Sequence, residues 1–168
     1  MATNPVLRLL TTEKKLIIKA TDGKKTLAQA KDTFNGFIDP KFKNRGLDNP
    51  GVATPDTPID MYEVIADATF KDMFCSLSGD LDKLCLTQSQ IEEFCRTNND
   101  LLQGDVYGMF FLFREDYGYF LVARVCINSG GLAIYYNRFD HWPSIPGIEY
   151  VWGGDRFYRV IVPAGVTI

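Results

Sequence analysis

The sequence contains very little histidine and no closely spaced pair of cysteines. His141 is its only histidine, and the four cysteines are Cys75, Cys85, Cys95 and Cys126. Structural zinc sites need cysteine or histidine pairs a few residues apart, so we predict no zinc site. The cysteines have apolar neighbours, which favours free, buried thiols, and free thiols are typical of the reducing cytoplasm.

Long apolar runs are also absent. The apolar stretch in residues 1–10 is interrupted by Arg8, which makes it too short and too polar for a signal peptide. No run approaches the roughly 20 apolar residues of a transmembrane helix. Together with the cysteine pattern, these features predict a cytoplasmic protein that does not cross a membrane.

The chain has no large excess of charge of either sign. Its net charge is −3, which gives no general attraction to nucleic acid or to anionic membranes. Residues 1–50 carry 10 basic and 5 acidic side chains, whereas residues 51–100 carry 3 basic and 10 acidic ones. We expect the basic N-terminal part to pack near the acidic middle, the alternative being a basic patch that binds an acidic partner.

Apolar and aromatic side chains are plentiful. The 168 residues are 46% hydrophobic and 13% aromatic, with 12 Phe and 8 Tyr. A chain of this length buries roughly 70% of its unfolded surface on folding, and each aromatic ring adds a large buried area. We therefore predict a single globular domain over residues 1–168 with an aromatic core.

The C-terminal third has the pattern of a β-meander. Turn-like stretches separate four aromatic, β-branched runs. These runs are residues 106–115, 119–127, 132–139 and 156–162. Both faces of the first two runs are apolar, so either helices cover both faces or one face is an apolar groove. We predict an α+β fold with an antiparallel meander of four to five strands over residues 106–163, residues 15–20 adding an edge strand.

The middle of the chain predicts a cluster of short helices over residues 58–100. Thr57 and Pro58 suit the cap and first position of a helix, and apolar residues follow at helical spacing. We therefore predict helices over 58–66 and 69–76.

Two further helices are predicted. Thr87 and Gln90 form a capping box, which indicates a helix that begins at this point. Apolar residues at helical spacing predict a short helix over 27–34, with Thr26 as its cap.

Residues 39–58 predict a long irregular loop that wraps the surface. This stretch contains four prolines and several Asn and Asp residues. Irregular connections of this length are uncommon inside compact domains and are often functional.

Asp140 and His141 are the candidates for catalysis. Histidine is the side chain that ordinarily titrates near neutrality, so His141 would be the natural general base, oriented by Asp140. The nucleophile would come from Cys126, Ser129 or Ser144, and no spacing selects one of them. A lone loop histidine is more often a surface or packing residue.

The predicted sheet also contains five arginines. They are Arg114, Arg124, Arg138, Arg156 and Arg159. Arginines interleaved with aromatic rings can stack on bases and pair with phosphates, and Trp142 and Trp152 would contribute rings to such a ligand site. No lysine occurs after Lys83, so that site would depend on arginine alone. Alternatively, the arginines pair with the acidic middle segment or stack at the sheet edge.

The apolar, proline-bearing connection over residues 140–155 is a candidate interaction surface. Exposed, it would bind a protein partner or a second copy of the chain, because Trp and Tyr are enriched in binding hot spots. Packed, it would close one end of the sheet. Its Gly153-Gly154 turn opens no helix and lacks the Lys-Ser/Thr of a phosphate-binding loop.

Asp80 and Asp82 place two carboxylates two residues apart, where they could share a cation. They lack the ligand ladder and glycine of a calcium loop, and acidic residues at a helix start already have a structural role. We predict no metal site, and no motif points to a cofactor.

Five stretches of the chain, taken together, carry a resemblance to other proteins. They are residues 30–34, 53–58, 80–88, 110–113 and 155–163. In combination they resemble a family of small hypothetical proteins from bacterial genomes, over most of residues 26–163. The resemblance implies a bacterial origin and a self-contained domain, and it implies no activity, ligand or catalytic residue.

The sequence thus favours a non-enzymatic cytoplasmic binding protein, because it contains no recognisable catalytic constellation. The interaction surface would be the loop over 39–58 together with residues 140–155. The alternatives are a small hydrolase-like enzyme centred on His141 and a nucleotide or RNA binder that uses the sheet arginines.

Overall fold

The structure, a computed structural model, describes residues 6–11, 15–102, 107–140 and 150–166. Within these residues the chain forms an α+β fold with one mixed eight-stranded sheet. The strands are β1 (Leu7–Leu9), β2 (Leu16–Ile18), β3 (Phe37–Ile38), β4 (Thr57–Val64), β5 (Gly108–Arg114), β6 (Phe120–Asn128), β7 (Gly131–Arg138) and β8 (Tyr158–Pro163). The helices are α1 (Lys41–Asn44), α2 (Phe70–Cys75) and α3 (Gln88–Thr97), and 3-10 turns cover Leu27–Gln29, Leu81–Leu84 and Asn99–Leu102.

The predicted antiparallel meander of four to five strands is wrong in its topology. The strand order is β1-β4-β8-β5-β6-β7-β3, and β2 also pairs with β4. Only β5, β6 and β7 form a meander, whereas β8 returns to pair in parallel with β5 and antiparallel with β4. β5 is an interior strand, with β6 at one edge and β8 at the other, and it is buried on both faces from Gly108 to Phe113.

The predicted helix over 58–66 is also wrong, because this segment is strand β4. Its side chains alternate with a period of two: Ile59 and Met61 enter one core, while Tyr62 and Val64 face the other. Pro58 lacks an N–H donor but stands at the second position of the strand, and its carbonyl accepts from the Ala164 N–H at 2.9 Å. The predicted helical cluster therefore begins at Phe70 rather than at residue 58.

The two helices with clear caps are confirmed. In α2, predicted over 69–76, Thr69 forms a capping box with Asp72. In α3, Thr87 and Gln90 form the predicted capping box. These caps satisfy backbone donors that the first turn of a helix leaves unpaired.

The segments before β4 differ in part from prediction. The helix expected over 27–34 is reduced to the 3-10 turn Leu27–Gln29, because Thr26 does not cap it and instead donates its hydroxyl to Asp48 Oδ1 at 2.7 Å. The irregular stretch over 39–58 contains the short helix α1 and the start of β4. Residues 15–20 do supply the predicted strand, as β2.

Apolar side chains pack on both faces of the sheet and form two cores. The first core joins Phe111, Phe113 and Ile161 of the sheet to Phe42 of α1 and Phe94 of α3. The second core joins sheet residues of opposite parity to α2 and to the 3-10 turn that follows it. Its members include Phe110, Leu112, Val160, Phe70, Phe74, Leu84 and Trp152. Of the two arrangements that the apolar faces allowed, the chain therefore adopts the one in which its own segments cover both faces.

The expected packing of the basic N-terminal part near the acidic middle is confirmed. Arg8 of β1 pairs with Glu63 of β4, and Lys19 Nζ lies 3.3 Å from Asp56 Oδ2. These pairs accompany the antiparallel pairing of β1 and β2 with β4. Exposed pairs of this kind contribute little energy individually.

Candidate functional site

The strand β7 has an incompletely covered edge, and a cavity lies there. β3 pairs with β7 only at Ala133 and Ile134, so residues 136–138 of β7 border the opening. The cavity has a volume of about 670 Å³, within the range of about 300–1,000 Å³ that is usual for small-molecule sites. We call it the edge cavity. Its basic lining residues are Lys41, Arg45, Arg124 and Arg138, and its aromatic lining residues are Phe70, Tyr136, Tyr150 and Trp152.

One wall of the edge cavity is helix α1, which Asp39 attaches to the edge of β7. The Asp39 N–H donates to the Ile134 carbonyl at 3.0 Å, and its carboxylate accepts from the Tyr136 N–H at 3.1 Å. The same carboxylate accepts from the Lys41 N–H at 3.0 Å. The backbone and the side chain of Asp39 thus both help to fix the position of α1.

The α1 wall presents two cations beside Tyr136. Lys41 and Arg45 are four residues apart, which places them on one side of a helical turn. Their charged ends lie 5.8 and 6.0 Å from the centre of the Tyr136 ring. Buried Phe42 contacts the same ring edge-on, with ring centres 5.9 Å apart, and so anchors α1.

The opposite wall is built around Arg124 of β6. Its guanidinium carbon lies 4.4 Å from the ring centre of Tyr135 and 5.7 Å from that of Trp152. One terminal nitrogen lies 3.9 Å from Cys126 Sγ, while Nε is buried with no hydrogen-bond partner. No ion pair among the described residues involves Arg124, so aromatic rings rather than a carboxylate hold this cation.

Trp152 is rigidly held in the second core. Its backbone forms a bridge with Ala68, with N–O distances of 2.8 and 3.1 Å. Its ring contacts Phe70 and Phe110, with ring centres 5.2 and 4.8 Å apart. The ring centre of Tyr150 lies 4.6 Å from that of Trp152, and Tyr150 is 54% exposed. An exposed tyrosine ring therefore extends the wall outward from a fixed tryptophan.

The glycine turn after Trp152 serves close packing. The Gly154 N–H donates to Asp67 Oδ1 at 2.9 Å. A Cβ on Gly154 would lie 2.5 Å from the backbone nitrogen of Ala66, so no larger residue fits without displacement of the backbone. This contact holds the segment that carries Trp152 against the loop before α2.

The electrostatics of the edge cavity favour an anion. Among its described lining residues there are four cations and no carboxylate. Burial, as the largest cause, raises the pKa of Tyr136 above its usual value, and Glu115 acts in the same direction while Arg45 and Arg138 oppose it. The Tyr136 hydroxyl is therefore protonated at neutral pH, so that it is able to donate a hydrogen bond.

Of the sequence-predicted ligand residues, the edge cavity brings together Arg124, Arg138 and Trp152. It does not include Arg156, which is exposed, 4.0 Å from Asp155 and over the ring of Tyr107. Nor does it include Arg159, which belongs to β8, three strands away from β7 in the sheet. Of these candidate arginines, the edge cavity therefore contains Arg124 and Arg138, whereas Arg156 and Arg159 lie elsewhere.

Arg114 and Arg159 have structural partners. Arg114 Nη1 lies 2.6 Å from Asp82 Oδ1, which is the predicted pairing of a sheet arginine with the acidic middle segment. Arg159 Nη1 donates to the Leu101 carbonyl at 3.2 Å. Burial lowers the pKa of Arg159 from its ordinary value, and Glu63 opposes that shift.

The residues proposed for catalysis are placed only in part. His141, Trp142 and Ser144 lie outside the described residues, so the hypothesis of an enzyme centred on His141 stays a prediction. Asp140 is exposed just after β7, and Ser129 is exposed in the turn between β6 and β7.

The four cysteines are free but not all buried. Cys95 is buried, Cys85 and Cys126 are partly buried, and Cys75 is exposed, which corrects the prediction for that residue. Burial, the largest cause, raises the pKa of the Cys126 thiol, and Arg124 opposes the shift. A protonated thiol is a poor nucleophile, so this environment does not activate Cys126.

Asp80 and Asp82 serve local structure. The Asp80 side chain accepts from the Asp82 N–H at 3.2 Å as the cap of the 3-10 turn Leu81–Leu84. Across the described parts of the chain, no cluster of three or more potential ligand side chains is arranged to hold a metal ion. No helix in those parts is both long enough and apolar enough to cross a membrane.

Sequence reasoning did not name Lys41 and Arg45 individually as ligand residues. They lie in the stretch over 39–58 that the sequence offers, with residues 140–155, as an interaction surface, and in which Lys41, Lys43 and Arg45 alternate. Their approach to Arg124 depends on Asp39 and Phe42, whose partners on β7 are nearly 100 residues away in sequence.

Comparison with known proteins provides no relative from which a function could be transferred. No family model matches the chain, and neither a curated protein nor a solved structure shows significant similarity to it. The function is therefore argued from the geometry and charge of the edge cavity.

Proposed function

We propose that this protein is a non-enzymatic binding protein for a small anionic ligand, and that the edge cavity is its binding site. One observation carries the proposal: four cationic side chains line a cavity whose described lining contains no carboxylate. Cations gathered in a concave site raise the local concentration of an anion, and guanidinium groups pair with phosphate or carboxylate through two hydrogen bonds.

The environment of Arg124 supports an anion more strongly than a neutral ligand. Its side chain is partly buried, yet its described neighbours are two rings and a thiol. Partial burial of a charge without a counter-charge is unfavourable. An anionic ligand would provide that counter-charge, so its binding would offset the unfavourable free energy of the partly buried, unpaired guanidinium.

Removal of the α1 cations tests the proposal. The double variant K41A/R45A removes two exposed charges, whereas K43A removes one charge from the same helix at a position that does not line the cavity. Binding of pyrophosphate is measured by isothermal titration calorimetry at low salt. We expect at least a tenfold loss of affinity in K41A/R45A, about 1.4 kcal/mol, and little change in K43A.

The salt dependence provides an internal check. Affinity for pyrophosphate should fall as ionic strength rises, because ions screen exposed charges. No binding by the wild-type protein, or equal losses in K43A and K41A/R45A, would reject the edge cavity as the anion site.

The proposal also includes the cytoplasm as the compartment and bacteria as the source. All four cysteines are free thiols, which agrees with a reducing compartment. A protein partner or a second copy bound through residues 140–155 stays a separate prediction, because residues 141–149 lie outside the described residues. The oligomeric state, measured by light scattering, tests the homodimer.

A further inference from the structure

The two sides of the edge cavity differ in chemistry. On the α1 side, Lys41 and Arg45 lie beside Tyr136 and offer charge. On the other side, Tyr150 and Trp152 offer rings, with Tyr150 about half exposed and Trp152 fixed beneath it. Arg124 lies between the rings of Tyr135 and Trp152, and Arg138 lies at the end of β7.

This division indicates a ligand with two unlike ends. Phosphate or carboxylate alone would use the cations and leave the exposed ring without a role in binding. Stacking of a nucleic-acid base on an aromatic side chain contributes about 1–3 kcal/mol, and this contribution depends little on which base is present. A ligand in which a planar ring is joined to phosphates would contact both the cationic side and the aromatic side of the cavity.

Resting on the proposed function, we infer that the ligand of the edge cavity is a mononucleotide. Its phosphates lie across the edge of β7, between Lys41 and Arg45 on one side and Arg124 on the other. Its base lies against the ring of Tyr150, which Trp152 supports.

A mononucleotide fits the described surface better than an RNA chain does. An RNA chain is bound by cations that follow its backbone beyond a single pocket. The other sheet arginines do not extend the cationic surface of the edge cavity. Arg156 is beside Asp155, and Arg159 lies on β8, three strands from β7, where it is hydrogen-bonded to the Leu101 carbonyl. The net charge of −3 likewise provides no general attraction to a polyanion.

The test compares ADP with pyrophosphate by calorimetry, on the wild-type protein and on Y150A and Y150F. Pyrophosphate has the charge without the ring. We expect ADP to bind the wild-type protein about tenfold more tightly than pyrophosphate. Y150A should lose that advantage without a change in pyrophosphate affinity, whereas Y150F should keep it because the ring is retained. Thermal unfolding checks that each variant folds.

Each other outcome overturns a specific claim. Equal affinities of the wild-type protein for ADP and pyrophosphate would reject the mononucleotide inference but would not reject the anion site. The same would follow if Y150A weakened ADP and pyrophosphate equally, or if it weakened neither. A single-stranded oligouridylate that bound more tightly than ADP would replace the mononucleotide by RNA. Absence of binding by both ADP and pyrophosphate would reject the proposed function itself.

Discussion

Arg124 on β6 and Arg159 on β8 flank the interior strand β5, and their side chains lie on opposite faces of the sheet. Both are partly buried, and both have a buried Nε without a hydrogen-bond partner. Their remaining contacts differ. Arg159 donates to the Leu101 carbonyl and lies opposite Glu63 in the strand register, whereas Arg124 is held by two rings and a thiol.

The difference shows that one type of side chain can have a structural role at one position and a binding role at another. Arg159 connects β8 to the 3-10 turn Asn99–Leu102 and belongs to a row in which Arg8, Glu63 and Arg159 follow one another across three strands. Arg124 opens onto the edge cavity instead. Comparing variants of the two arginines should therefore separate stability from binding.

The largest expected effect is the loss of stability in Arg159→Ala. This change removes a charged hydrogen bond and leaves the Leu101 carbonyl without it, which costs about 2 kcal/mol. Urea unfolding should show a lower midpoint at an unchanged slope, while pyrophosphate affinity should be retained. A wild-type midpoint would mean that Arg159 does not connect β8 to the turn.

Arg124→Ala should produce the reverse pattern. We expect about a tenfold loss of pyrophosphate affinity, about 1.4 kcal/mol, with a smaller change in the urea midpoint than in Arg159→Ala. Arg124→Lys should restore the affinity only in part, since an ammonium lacks the planar, two-pronged geometry of a guanidinium. Full affinity in Arg124→Ala would show that this wall does not contact the anion.

A smaller effect is expected from the ring that holds Arg124. Tyr135→Ala removes the closer of its two aromatic contacts, and cation–π contacts of this kind contribute about 0.5–1 kcal/mol. Pyrophosphate affinity should fall a few-fold by calorimetry, because Arg124 becomes less ordered. Tyr135→Phe keeps the ring and serves as the control, so an equal loss in both variants would point to the hydroxyl instead.

The sequence predicts best the elements that local signals define. The predicted capping box at Thr87 lies at the start of its helix, the helix over 69–76 follows from the local spacing of apolar residues, and the hairpins of β5, β6 and β7 have short turns. The sequence wrongly predicts a helix at β4 because the local signals of this segment favour a helix start. Its conformation is decided by pairing with β8, in which Ile59 lies opposite Pro163, about 100 residues later.

The sequence predicts only those residues of the candidate site whose residue type is itself informative. Arg124, Arg138 and Trp152 stand out as arginines and a tryptophan in a predicted sheet. Lys41 and Arg45 are indicated only as part of the stretch over 39–58, because they reach the site through the contacts of α1 with β7. Such contacts between distant segments leave no periodic pattern in one sequence.

The smallest expected effect concerns the thiol beside Arg124. Burial raises the pKa of Cys126, and the Arg124 charge opposes the shift because it favours the thiolate. Arg124→Ala should therefore raise the pKa of Cys126 further, so that alkylation by iodoacetamide, followed at this residue by mass spectrometry, begins at a higher pH. Arg159→Ala lies on the other face and should leave the profile of Cys126 unchanged. A shift to lower pH in Arg124→Ala would mean that lost burial outweighs the lost charge, and that the guanidinium shields this thiol from solvent.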